Sequence, residues 1–113
     1  MINKFRYAFE GLKACLKDKS IVIQLILGIL AVIGGFIIRL DFYEWLAFII
    51  CIGMVISSEI FNSIIEHLCN LYTSEYNEKI KLIKDLGSAA VLVTGIASLT
   101  VCILCLIRRI WRI

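Results

Sequence analysis

Three long apolar runs dominate the chain, and short polar stretches separate them. The first covers residues 21–38, IVIQLILGILAVIGGFII, with Gln24 its one strongly polar side chain. At 1.5 Å per residue such a helix nearly matches a hydrocarbon core of about 30 Å. Arg39, Asp41 and Glu44 then read as a short polar turn. A second helix is predicted over 45–70, opening at Trp45, a residue suited to the membrane interface. Its character changes at Glu59, where EIFNSIIEHLCNLY sets carboxylates among Ile, Phe and Leu. A polar connector, TSEYNEKIK, leads to a third helix over 85–107 that ends before RRIWR. Upstream, residues 2–17 have a helical period: Ile2, Phe5, Ala8, Phe9, Leu12, Cys15 and Leu16 share one face, with Lys4, Arg6, Glu10, Lys13 and Lys17 opposite. This amphipathic helix suits the membrane interface, with lysines toward anionic headgroups, or packing on the protein's own core. Its charges interrupt the apolar core that a signal peptide would carry. The expected fold is therefore all-α and integral to the membrane. It has three transmembrane helices and an N-terminal surface helix, in one domain over 1–113.

Composition agrees with that pattern. Apolar residues reach 61% and charged residues 19%, against roughly 45–50% and about 25% in an average soluble domain. A disordered tail, a disulfide-stapled miniature domain and an ordinary soluble enzyme are excluded. The net charge of +3 is small and scattered, so nucleic acid is not an expected partner. Basic residues instead flank the apolar runs. A cytoplasmic N-terminus puts Lys4, Arg6, Lys13, Lys17, Lys19, Lys79, Lys81 and Lys84 inside, and leaves Arg39, Arg108, Arg109 and Arg112 outside. The positive-inside rule favours that orientation, in the cytoplasmic membrane, although the basic C-terminal end runs against it. Cys102 and Cys105 form a C-x-x-C amid Leu, Ile and Val. Thiolate is disfavoured in such surroundings, so these cysteines read as small apolar side chains.

The chemistry concentrates on the second helix. Glu59, Asn62, Glu66 and Asn70 stand at i, i+3, i+7 and i+11, one narrow stripe with Ser63 at its edge. Ionisable groups at membrane depth cost at least about 2.5 kcal/mol each on insertion scales and mark function by default. Carboxylate and amide oxygens suit Mg²⁺, and a carboxylate in a poorly hydrated site can serve as a general base. Lys84 and Asp85 add a cation and a third carboxylate where the connector returns. The small residues Gly87, Ala90, Thr94, Ala97 and Ser98 would let the third helix approach closely and bring that pair near Glu66. A metal, a cation for phosphates and a base for a hydroxyl are the parts that phosphoryl transfer needs. Neither a Walker A loop, a protein-kinase glycine loop nor a G-x-S-x-G elbow is present, and His67 lacks a metal-site companion. Three spans are too few to surround the stripe, so an oligomer is expected.

The runs SSEIFNSIIEHLCNLY, SEYN and IKDLGSAAVLV, with FRYAFEGLKA upstream, resemble the prokaryotic diacylglycerol kinase family, which includes undecaprenol kinases. The resemblance implies a homotrimer whose composite sites transfer the ATP γ-phosphate to a lipid hydroxyl at the cytoplasmic face, with Mg²⁺. It implies that Glu59 is the general base, Asn62 its support and Glu66 the metal-binding glutamate. It further implies that Lys84 and Asp85 meet phosphates and nucleotide, that Glu75, Tyr76, Asn77 and Tyr7 lie at the nucleotide, and that Ser88 lies near the lipid. Asn70 stands where the family usually has aspartate. Asp18, one residue out of register, is the nearest match to a second metal glutamate. The lipid is undecaprenol or diacylglycerol. The alternatives are a non-enzymatic channel or transport accessory subunit, whose stripe lines a pore or holds helices together, and a catalytically impaired relative.

Overall fold

The computed structural model of the chain describes residues 2–112. The domain limits Met1 and Ile113, and the side chain of Arg112, lie outside the described residues. Four helices follow in order: α1 (Ile2–Cys15), α2 (Lys19–Ile38), α3 (Phe42–Tyr72) and α4 (Glu78–Arg112). The last three are each long and apolar enough to cross a membrane. At 1.5 Å per residue, α2 spans about 30 Å, α3 about 46 Å and α4 about 52 Å. Two of the three helices therefore overhang a bilayer core by several turns. α3 lies between its neighbours, packing mainly along α4 and less against α2. α1 buries none of its residues.

The helix limits differ from those expected, and caps account for the differences. α1 stops at Cys15 rather than at residue 17, because Leu16 and Lys17 close tight turns onto Lys13 and Ala14. α2 starts early because Asp18 caps it, accepting from the amides of Ser20 (3.0 Å) and Ile21 (3.4 Å). Glu44 does not belong to a turn. It is the third residue of α3, in a capping box where Asp41 accepts from its amide (2.9 Å) and it accepts from that of Asp41 (3.1 Å). α4 takes in Glu78–Lys84, read above as connector and lead-in, because Asn77 caps it through Lys79 and Ile80 (2.9 and 3.2 Å).

α2 ends in a Schellman turn. The amide of Leu40 donates to Gly35 O (3.1 Å) and that of Arg39 to Phe36 O (3.3 Å), with Arg39 left-handed at φ 57°. A Cβ on Gly35 would lie 2.7 Å from the Trp45 ring and 2.9 Å from Leu40 Cδ1, so glycine is what lets both side chains close over the helix end.

The buried set is unusual for its polarity. Ile21, Leu40 and Cys69 are the buried apolar side chains among the described residues, alongside Glu44, Glu59, Asn62 and Ser63. Most large apolar side chains face outward, as a hydrocarbon surround permits. All five cysteines are free. The packing face of α4 follows Gly87, Val91, Thr94, Ser98, Val101 and Cys105. Ala90 and Ala97, expected on that face, are exposed.

Candidate active site

Polar groups collect at the two ends of the bundle. At the end where α2 and α3 begin, Glu44 is 3% exposed and takes Arg109 at 2.9 Å, while Arg109 also donates to Arg39 O at 2.6 Å. Arg108 pairs with Asp41 at 3.2 Å. Position 41 is near the start of α3 and position 108 near the end of α4, so this cluster fixes the antiparallel register of the two helices.

The opposite end carries the stripe. Glu59 and Asn62 are each 8% exposed, whereas Glu66 and Asn70 face solvent. The stripe therefore runs from a shielded carboxylate to an open one, because α3 passes beyond the packed part of the bundle. Asn62 Nδ2 donates to Glu66 Oε1 (3.3 Å), one helical turn apart. Asn62 Oδ1 is buried against α4 with no partner among the described residues, and a Cβ on Gly87 would collide with it. Lower in the interface, Ser58 and Thr94 hydroxyls meet at 2.9 Å.

Lys84 reaches the stripe, as expected from the return of the connector, but its bond is to Asn70 Oδ1 (2.9 Å) rather than to Glu66. Asp85 turns to Lys81, 2.8 Å away on the same helix face. Tyr76 and Tyr7 are exposed, at 78% and 68%. Asn77 is engaged as a helix cap. Glu75 donates its amide to Thr73 Oγ1 (3.0 Å), tightening the connector. Ser88 is exposed, one residue past Gly87.

Asp18 joins the site from an unexpected direction. Its Oδ1 caps α2, and Ser63 Oγ donates to its Oδ2. That hydrogen bond, more than the two backbone amides, holds the Asp18 carboxyl below the ordinary aspartate range, against the opposing effect of desolvation. The stripe pattern put Ser63 at its edge and could not reveal its partner, which lies 45 residues away. The signal for Asp18 was local: an acidic residue directly before an apolar helix is a cap.

Among the described residues no three His, Cys, Asp or Glu side chains converge on one point. Glu66 fits a magnesium ligand nevertheless. It is solvent-facing, only one of its oxygens is engaged among the described residues, and Mg²⁺ is commonly held by one or two carboxylates with water and phosphate completing its shell. Asp18 fits poorly, since both of its oxygens already accept hydrogen bonds.

Comparison with known proteins bears on this arrangement. Residues 6–106 match the sequence profile described as prokaryotic diacylglycerol kinase. The chain is also similar to a Bacillus subtilis (strain 168) protein named undecaprenol kinase, 35% identical over 66 residues, which are 58% of this chain and 54% of that protein. The match thus spans about half the length of that relative. With three membrane-length helices and a family match that runs from α1 into the last turns of α4, the chain belongs to the prokaryotic diacylglycerol kinase family.

Proposed function

We propose that this protein transfers the γ-phosphate of ATP to the hydroxyl of a membrane lipid alcohol, undecaprenol or diacylglycerol. The observation that carries the reading is the graded stripe on α3: a shielded Glu59, then Asn62, then an open Glu66, with Lys84 of α4 beside Asn70. Family membership and the similarity to a protein named undecaprenol kinase support it.

In this reading the lipid hydroxyl approaches Glu59 from the apolar side and ATP approaches Glu66 and Lys84 from water. Glu59 Oε takes the hydroxyl proton as the lipid oxygen bonds to the γ-phosphorus. The bond from that phosphorus to the β,γ-bridging oxygen breaks, and ADP leaves with the electron pair. Asn62 holds Glu66 in place through its 3.3 Å bond. Glu66 would hold Mg²⁺, which supplies charge neutralisation for the phosphates when bound. Lys84 supplies a positive charge to the same phosphates, with Asp85, Tyr7, Glu75, Tyr76 and Asn77 around the nucleotide and Ser88 toward the lipid.

The site faces the cytoplasm, with α1 on the membrane surface and its apolar face, Phe5, Phe9 and Leu12, in lipid. The outward-facing arginines that run against this orientation have a structural role at their own end, since Arg108 and Arg109 are ion-paired with Asp41 and Glu44. A homotrimer would cover the part of the stripe that one protomer leaves open, Glu66 and Asn70.

The deciding experiment is transfer of label from γ-labelled ATP in mixed micelles, with each lipid offered separately, with and without Mg²⁺. Magnesium-dependent label in one lipid is expected, lost in Glu59→Gln while nucleotide binding and oligomeric state persist. Near-normal turnover of that variant would remove Glu59 as the base. Folded protein that labels neither lipid would overturn the lipid-kinase reading.

A further inference from the structure

Asp18 is the acidic residue nearest in sequence to a second metal position, yet its surroundings give it other employment. One oxygen accepts from the amides of Ser20 and Ile21, and the other accepts from Ser63. Ser63 is itself buried, directly after Asn62 and four residues after Glu59. Behind Asp18 the chain is wound tight: the amides of Leu16, Lys17 and Asp18 donate to the carbonyls of Lys13, Ala14 and Cys15 at 3.0–3.2 Å. α1 has no buried residue of its own. Its placement relative to the stripe is therefore set through this elbow, whose side-chain bond to the bundle, among the described residues, is the one between Asp18 and Ser63. Two backbone donors and a buried hydroxyl leave the carboxylate little capacity for a cation, which would have to compete with all three.

We propose that Ser63 and Asp18 form a positioning clamp that fixes the α1–α2 elbow, and with it the surface helix, against the catalytic stripe, and that Asp18 is not a magnesium ligand in this protein. The consequence for catalysis rests on the kinase reading given above; the clamp itself does not. Ser63 acts through Asp18, because its hydroxyl is already spent on that bond.

The test uses the full chain in detergent micelles and two readouts. Hydrogen exchange over residues 13–22 reports the elbow whether or not the protein is a kinase. Loss of a hydrogen bond to a carboxylate should speed that exchange by about tenfold or more in Ser63→Ala, with recovery in Ser63→Thr. Asp18→Asn keeps the helix cap through its one amide oxygen, and its Nδ2 can donate to Ser63 Oγ in place of the lost acceptor, so its exchange should stay closer to wild type than that of Ser63→Ala. In the transfer assay Ser63→Ala should lower kcat/KM, and Ser63→Thr should restore it. The Mg²⁺ midpoint should hold within about twofold in both Ser63→Ala and Asp18→Asn. Unchanged exchange in Ser63→Ala would overturn the clamp. A rise of about tenfold or more in the Mg²⁺ midpoint of Asp18→Asn, the scale on which disturbing a metal site lowers its affinity, would instead place Asp18 at the metal. Should the wild type label no lipid, the exchange result would still decide the clamp while the kinase reading fell separately.

Discussion

Gly87 sits at the crossing of α3 and α4, and replacing it with alanine is a stringent test of how the site is assembled. The new Cβ would overlap Asn62 Oδ1 and stand 3.3 Å from Ile65 Cδ1 and 3.5 Å from Asn62 Cγ. Asn62 cannot yield cheaply, because it is buried and its other amide atom is bound to Glu66. Either Asn62 rotates and releases Glu66, or α4 moves away and carries Lys84, which lies three residues earlier on the same face. Overpacking of this kind costs about 1–3 kcal/mol, offset by the gain of about 0.5–1 kcal/mol from replacing a helical glycine. The net loss, up to about 2.5 kcal/mol and about 1 at the middle of these ranges, should lower the unfolding midpoint in detergent by several degrees. Activity should fall further, by about one to two orders of magnitude, since small misplacements of positioned groups are expensive in catalysis. Gly95→Ala, on the same helix with nothing within 4 Å of its Cβ, serves as the control and should show only the helical gain of about 0.5–1 kcal/mol, with no loss of stability. A Gly87→Ala protein with unchanged midpoint and full transfer activity would refute the close crossing and the role given to Asn62.

Arg109→Ala should cost about 3 kcal/mol in chemical denaturation, because it leaves the buried Glu44 carboxylate without its guanidinium. Arg6→Ala, which breaks an exposed pair with Glu10, should change stability by less than about 0.5 kcal/mol. Arg39→Gly should stabilise by about 0.5–1 kcal/mol, since glycine adopts the left-handed turn without strain and the carbonyl that Arg109 uses is retained. Lys84→Gln should raise KM for ATP by about tenfold, with kcat less affected, if the lysine contributes mainly to phosphate binding; a kcat effect alone would move its role to the transition state. Glu66→Gln should weaken Mg-ATP binding, read as a higher Mg²⁺ midpoint in the transfer assay.

Much of this architecture was legible in the chain. Unbroken apolar runs of bilayer length can only be helices in hydrocarbon, where every backbone amide must find its partner within the segment. The spacing of Glu59, Asn62, Glu66 and Asn70 by itself puts them on one face, because helical period is a local property. The caps were written locally too. Asp18, Asp41 and Asn77 each stand before a helix, yet apolarity, which marks only the membrane-embedded part of a helix, leaves Asp41 in a turn and Asn77 in a connector. Overhanging turns outside the bilayer need no apolar run, so that criterion cut α4 short by seven residues at its start and by five, 108–112, at its end.

What the sequence could not reach was pairing across helices. Which residue of α4 meets Asn62, where Lys84 lands on the stripe, and that Ser63 belongs to Asp18 all depend on the rotation and offset of one helix against another. Those are set by the sum of many contacts of similar energy and by no single residue pattern. Composition and period determined a three-span helical membrane protein with one acidic face. Only the tertiary structure decided that half of that face is shielded and half open, that Lys84 stops at Asn70, and that both oxygens of Asp18 are taken by protein donors. The physical reason is that a helix fixes the relative angle of its own side chains, whereas burial and partnership are properties of the packed bundle.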